Sequence, residues 1–125
     1  MNGLRRLLIL VAGLMGATGV AAAAAGAHVN ADPNLTTAAY FLMLGAAGAT
    51  GAAALAAARG PRLSFADAGG SVIALGAALF GGTLAARALW GIIIFPMAAP
   101  IGGTMLIVGW LVLGLAAFER GGRSA

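Results

Sequence analysis

The sequence predicts an all-α membrane protein, an antiparallel bundle of four transmembrane helices rich in glycine and alanine. Three observations lead there. Four apolar stretches fill the 125 residues almost end to end, and each is close to the ~20 residues a helix needs to cross the hydrocarbon core. The chain is 62% hydrophobic and 8% charged, with a mean hydropathy of +1.02, which leaves too little polar surface to cover a soluble globule. Six of the seven arginines fall in segments that four antiparallel spans would place on one side of a membrane.

The first stretch covers residues 7–27 and follows Arg5 and Arg6. It imitates a secretory signal peptide, with an apolar run from Leu7 and small residues ending in Ala25-Gly26-Ala27. Cleavage there would leave three helices. The apolar run is longer than a usual signal core, which favours retention as a span. The second stretch covers 37–58, after an outer loop from His28 to Thr36 punctuated by Asp32-Pro33-Asn34. Gly60-Pro61 turns the chain, and Ser64 suits the cap of the third helix, 67–90. After Trp90 the chain stays apolar through Ile92, Ile93, Ile94 and Phe95, but β-branched and bracketed by Gly91 and Pro96. A helix continuous from Asp67 through Ile94 would run about 42 Å, well beyond the hydrocarbon thickness. The expectation is therefore a break near Gly91, with Ile92–Phe95 along the outer interface as a candidate contact loop for a partner protein or a second copy. Pro100 fits the first turn of the fourth helix, 100–118.

Sidedness follows from the arginines. Arg5 and Arg6, Arg59 and Arg62, and Arg120 and Arg123 fall on one side, and Arg87 alone departs from the pattern. The positive-inside rule then expects both termini in the cytoplasm. The pI of 11.6 could point to nucleic acid, but a net charge of +4 split among three segments reads as a topology signal, with anionic head groups as counter-charge. The chain has no cysteine, hence no disulfide and no thiolate nucleophile or metal ligand. Its size fits a single domain, residues 1–125.

Small residues set the expected packing. Gly13, Gly16 and Gly19 recur in the first helix, and Gly45, Gly48 and Gly51 in the second. Steps of three spread each trio over a slanted ridge about 120° wide. Such ridges let backbones approach closely, and the expectation is that they meet each other or neighbouring helices. The two ridges also resemble each other, as an inverted duplication would. With 21 glycines in the chain, coincidence is the preferred reading. Gly102 and Gly103 add a packing site on the fourth helix.

Three motifs carry a resemblance to a known family. Gly26-Ala27-His28 closes the first helix, Leu79-Phe80-Gly81-Gly82-Thr83-Leu84 lies in the third, and Pro100-Ile101-Gly102-Gly103 with Gly109-Trp110-Leu111 marks the fourth. In these the chain resembles the small bacterial inner-membrane family known as domain of unknown function 423, related to eukaryotic transmembrane protein 256. The resemblance implies four helices and a bacterial inner membrane, and no established activity. The chain departs from the family in a shorter first outer loop, and in Phe41 after Tyr40 where the family has histidine.

Chemistry is sparse. His28 is the only histidine, with no second His or Cys to complete a metal site. Asp32 and Asp67 fall on opposite sides, so no carboxylate pair forms, and Asp67 reads as a helix-start residue favoured by the dipole. Ser64, Ser71 and Ser124 have no base in reach. The reading is no catalytic, cofactor-binding or metal-binding residues, and no cofactor. Trp90 and Tyr40 suit an outer aromatic belt, and Trp110 falls near mid-membrane. Arg87 can snorkel to the outer boundary or join Asp32 and His28 in an outer-face polar cluster. Two functions follow as expectations. One is a non-catalytic accessory subunit that packs against lipid and against other membrane proteins or copies of itself. The other is an oligomeric small-solute transporter or channel, disfavoured because the interior of the spans offers only Thr18, Thr50, Ser71, Thr83 and Thr104 as polar groups.

Overall fold

A computed structural model describes residues 1–120; Arg123 and Ser124 lie outside them. The described chain is all-helical, with four helices long and apolar enough to cross a membrane, which marks an integral membrane protein. The helices are α1 (Gly3–His28), α2 (Pro33–Arg59), α3 (Phe65–Trp90) and α4 (Ala98–Leu115), and a single 3-10 turn, Ala116–Phe118, follows α4.

Each helix starts and stops where local chemistry demands. Asn2 caps α1, its side chain accepting from the Arg5 N–H at 3.0 Å. The helix thus begins ahead of the apolar run, and Arg5 and Arg6 belong to its first turns. Asp32 caps α2 with Pro33 in the first turn, where the missing N–H costs nothing. Ser64 and Asp67 form a reciprocal capping box at the start of α3, the site expected for a cap. Gly91 ends α3 in the left-handed region, at φ 65° and ψ 17°, its N–H directed at the carbonyls of Ala86 and Arg87. The apolar run does break there, since only glycine adopts that conformation without steric cost. Gly91→Ala is expected to destabilise the protein by about 1 kcal/mol, because a Cβ in the left-handed region clashes with the following carbonyl. Thermal unfolding in detergent measures it.

The four helices pack in series. α1 lies on α2, α2 on α3 and α3 on α4, whereas α1 touches α3 lightly and α2 barely reaches α4. The core runs through α2 and α3 and is made largely of alanine: Ala49, Ala53 and Ala77 are fully buried beside Ile73, with Leu8, Met15, Leu42 and Leu106 closing over them. Large apolar side chains such as Leu10, Leu14, Ile107 and Leu111 point outward. Small residues inside and large ones outside is the pattern lipid permits, since association there rests on close packing rather than on escape from water.

The glycine ridges do not meet each other, and they are not uniform. A Cβ at Gly13 or Gly51 would find nothing within 4 Å, and one at Gly16 would make ordinary contact with Ala46 at 3.6 Å. Only Gly19 of the first ridge is tightly packed, against Met43 and the Ala39 carbonyl. Gly45 faces Ala77 of α3, and Gly48 faces Trp110 of α4 and Ile73 of α3. The cause is geometric: a ridge that drifts about 120° cannot keep all its members on one neighbour. The closest backbones are instead those of α3 and α4. A Cβ at Gly69 would lie 2.6 Å from the Leu113 nitrogen, one at Gly102 2.6 Å from the Phe80 nitrogen, and one at Gly109 2.8 Å from the Ile73 nitrogen. Gly103, by contrast, sits at 3.7 Å from the Phe80 ring.

Candidate functional site

At the end that holds the paired arginines, Arg5 is the centre of the polar structure. Its guanidinium grips Asp67 with two bonds, Nε to Oδ1 at 2.9 Å and Nη2 to Oδ2 at 3.0 Å. It also donates to the Gly60 carbonyl at 2.7 Å and the Arg62 carbonyl at 3.1 Å. Both residues are only 2% exposed. The planar fork of arginine suits this double task, because it can bond a carboxylate in-plane and still present donors to backbone oxygens. Asp67 uses its remaining capacity on Ser64, accepting from the backbone N–H at 2.8 Å and from the hydroxyl at 3.2 Å. Beside it, Arg59 donates to the Glu119 carbonyl at 3.0 Å, and Glu119 accepts from the Phe65 N–H at 2.8 Å. The start of α1, the turn between α2 and α3, and the segment after α4 are therefore tied together at one end. This is a structural clamp that spends four of the five guanidinium N–H donors of Arg5.

Sequence reasoning missed the clamp. In one dimension Arg5 presents itself as a topology charge and Asp67 as a dipole-favoured helix start. A signal was present: once topology puts both on one side, an apolar chain with so few carboxylates has a reason to pair them. What no periodicity could supply was the approach of α1 to α3 across 62 residues of chain.

The expected outer-face cluster does not assemble as an ion-paired group. Among the described residues the only ion pair within 4.0 Å is Arg5–Asp67. Asp32 spends its carboxylate on the Asn34 N–H at 2.9 Å, capping its own helix. His28 and Arg87 are exposed. The link across this end comes from Asn30, which accepts from the Asp32 N–H at 3.0 Å and donates to the Ala88 carbonyl at 3.0 Å. The Asx turn holds Asp32 in a capping position, and among the described residues Arg87 has no acidic partner. Ile92, Ile93, Ile94 and Phe95 are all exposed, Ile93 by 59%.

Between α2 and α4 lies an apolar groove of about 990 Å³. Its floor is the edge-to-face pair Phe41–Phe80, with centroids 4.9 Å apart and planes at 78°. Leu44 forms one wall and Ile107 and Trp110 the other, with Ala99 and Pro100 at the end near the Trp90 side. The groove exists because α2 and α4 both pack on α3 but hardly on each other. Trp110 is 44% exposed and packs its ring edge over Gly48.

Apart from Ser64 in the clamp, hydroxyl groups contribute little to either site. Thr18, Thr50, Ser71 and Thr104 each donate to the carbonyl four residues earlier, at 2.7 to 2.8 Å. Thr83, 6% exposed, is the exception, and its hydroxyl has no partner. No group of three or more potential metal ligands occurs among the described residues.

The motifs behind the family resemblance map onto these features. Gly26-Ala27-His28 ends α1, and Phe80 of the third-helix motif rests against Gly102 of the fourth. No family model, curated protein or solved structure matches the chain.

Proposed function

We propose that this protein is a non-catalytic accessory subunit of a bacterial inner membrane, with both termini in the cytoplasm, packing against lipid and against another membrane protein or a second copy. One observation carries the reading: in the interior of the spans the hydroxyls of Thr18, Thr50, Ser71 and Thr104 each bond back to their own helix. No polar lane therefore joins the two ends through the alanine and glycine core, where a path for ions or polar solutes would need one. The buried charges, Arg5 and Asp67, are paired at one end and hold the fold. The family resemblance supports the membrane and the compartment, and the arginine distribution supports the orientation.

The contact surface in this proposal is the exposed apolar loop Ile92–Phe95. Mild solubilisation of the native membrane should yield a species larger than the monomer on a native gel. Charged residues at Ile93 and Phe95 should dissolve it. A monomer from wild-type membranes, or a complex that survives both changes, counts against the reading. Orientation is tested separately on this cysteine-free chain. A single cysteine replacing Asn34 should react with an impermeant maleimide from outside, and one replacing Arg62 only after permeabilisation. Labelling of the Arg62 position from outside would reverse the topology.

A further inference from the structure

The groove between α2 and α4 joins three features that point to one kind of occupant. Its walls are apolar, and from Pro100 to Leu111 it runs about 17 Å along α4. That is close to the thickness of one leaflet's half of a ~30 Å hydrocarbon core. The groove reaches the start of α4 at the Trp90 end of the molecule, and Arg87 lies at that end. Arg87 follows Phe80 by seven residues, which places it on nearly the same stripe of α3, about 10.5 Å beyond the groove floor. It is exposed, and among the described residues no carboxylate lies within ion-pairing distance. The first turn of α4 has no side-chain cap. Its Ala98 N–H bonds the Phe95 carbonyl and Pro100 carries no N–H, so its contribution at the mouth of the groove is the positive end of the helix dipole rather than a ring of donors.

We propose that the groove binds an anionic phospholipid of the leaflet at the Trp90 end, with one acyl chain along Phe41, Phe80 and Ile107 and the phosphate between Arg87 and the start of α4. The match in length favours a lipid chain over a compact ligand. The unpaired arginine favours an anionic head group over a second helix, which would have to bring its own carboxylate to this position. The inference rests on membrane insertion and not on the accessory role, so either can fail alone.

Trp110, in the groove wall, is the reporter. In a Trp90→Phe background the full chain is reconstituted into phosphatidylcholine vesicles holding a minor fraction of lipid brominated on its acyl chains. The brominated lipid is either phosphatidylglycerol or phosphatidylcholine. Brominated phosphatidylglycerol should quench Trp110 at roughly fivefold lower mole fraction, the factor that one arginine near a head group supplies. Arg87→Gln should erase that preference while leaving the arginines of the opposite end intact. Gly103→Leu should weaken quenching by both lipids, because its side chain fills the groove and meets only the Phe80 ring. Equal quenching by the two lipids in the wild type, a preference that persists in Arg87→Gln, or unchanged quenching in Gly103→Leu would each overturn the proposal. Trp110 shielded from both lipids in a self-associated protein would overturn it too, in favour of a helix in the groove.

Discussion

Asp67→Ala is expected to lower the melting temperature in detergent by roughly 10 °C or more and to cut the folded yield sharply. The carboxylate accepts two bonds from Arg5 and two from Ser64. Its removal leaves a guanidinium enclosed by protein with only two backbone carbonyls for company. It also removes half of the capping box that starts α3. Arg5→Met should fall by a similar amount, because it strands the carboxylate. The informative variant is the double one, Arg5→Met with Asp67→Leu. Replacing both partners by apolar groups of similar size removes the desolvation cost along with the attraction, so the double variant should recover much of what either single change loses. Single variants that melt with the wild type would show that the pair contributes nothing. Strictly additive losses would show that the two residues act independently.

Gly102→Leu should be at least as damaging, and for a different reason. The added side chain would start 2.6 Å from the Phe80 nitrogen and 3.0 Å from its Cα, so the obstacle is backbone, not the end of a flexible side chain. Separating α3 from α4 enough to admit it should cost 3 kcal/mol or more, at the upper end of ordinary overpacking, about 1–3 kcal/mol. Gly69→Leu meets the Leu113 backbone in the same way. Gly51→Ala should have the opposite sign. Nothing lies within 4 Å of the added Cβ, and exchanging glycine for alanine inside a helix stabilises by roughly 0.5–1 kcal/mol. Thermal unfolding of the three variants side by side tests the packing directly. If Gly102→Leu and Gly51→Ala shifted stability alike, the α3–α4 contact would not be the close one described here.

These two experiments also mark where the sequence is legible and where it is not. Helix identity was readable because it depends on local quantities: the length of an apolar run, a serine and aspartate three apart at the start of α3, a glycine followed by β-branched residues at its end. The break at Gly91 and the cap at Ser64 both lie where those local rules put them. Helix ends drifted by a few residues, most at the starts of α1 and α2, because Arg5 and Arg6 look like flanking charge yet follow the Asn2 cap, and Asp32-Pro33-Asn34 looks like a turn yet caps and opens α2. The glycine pattern was legible as close packing but not as partner choice. Spacing along one helix says that a small face exists, and the partner depends on how four such faces are arranged in series.

The same division separates the two ends of the molecule. Composition, apolar run length and the arginine pattern determined an all-helical membrane chain, because those properties reflect transfer from water to lipid, residue by residue. Only the tertiary structure decided that Arg5 is consumed by Asp67 while Arg87 has no acidic partner among the described residues. Only it left a groove between α2 and α4, since both rest on α3 and hardly on each other. Pairing and cavities depend on which segments approach across tens of residues, and that approach is set by packing of small surfaces that one-dimensional periodicity does not order.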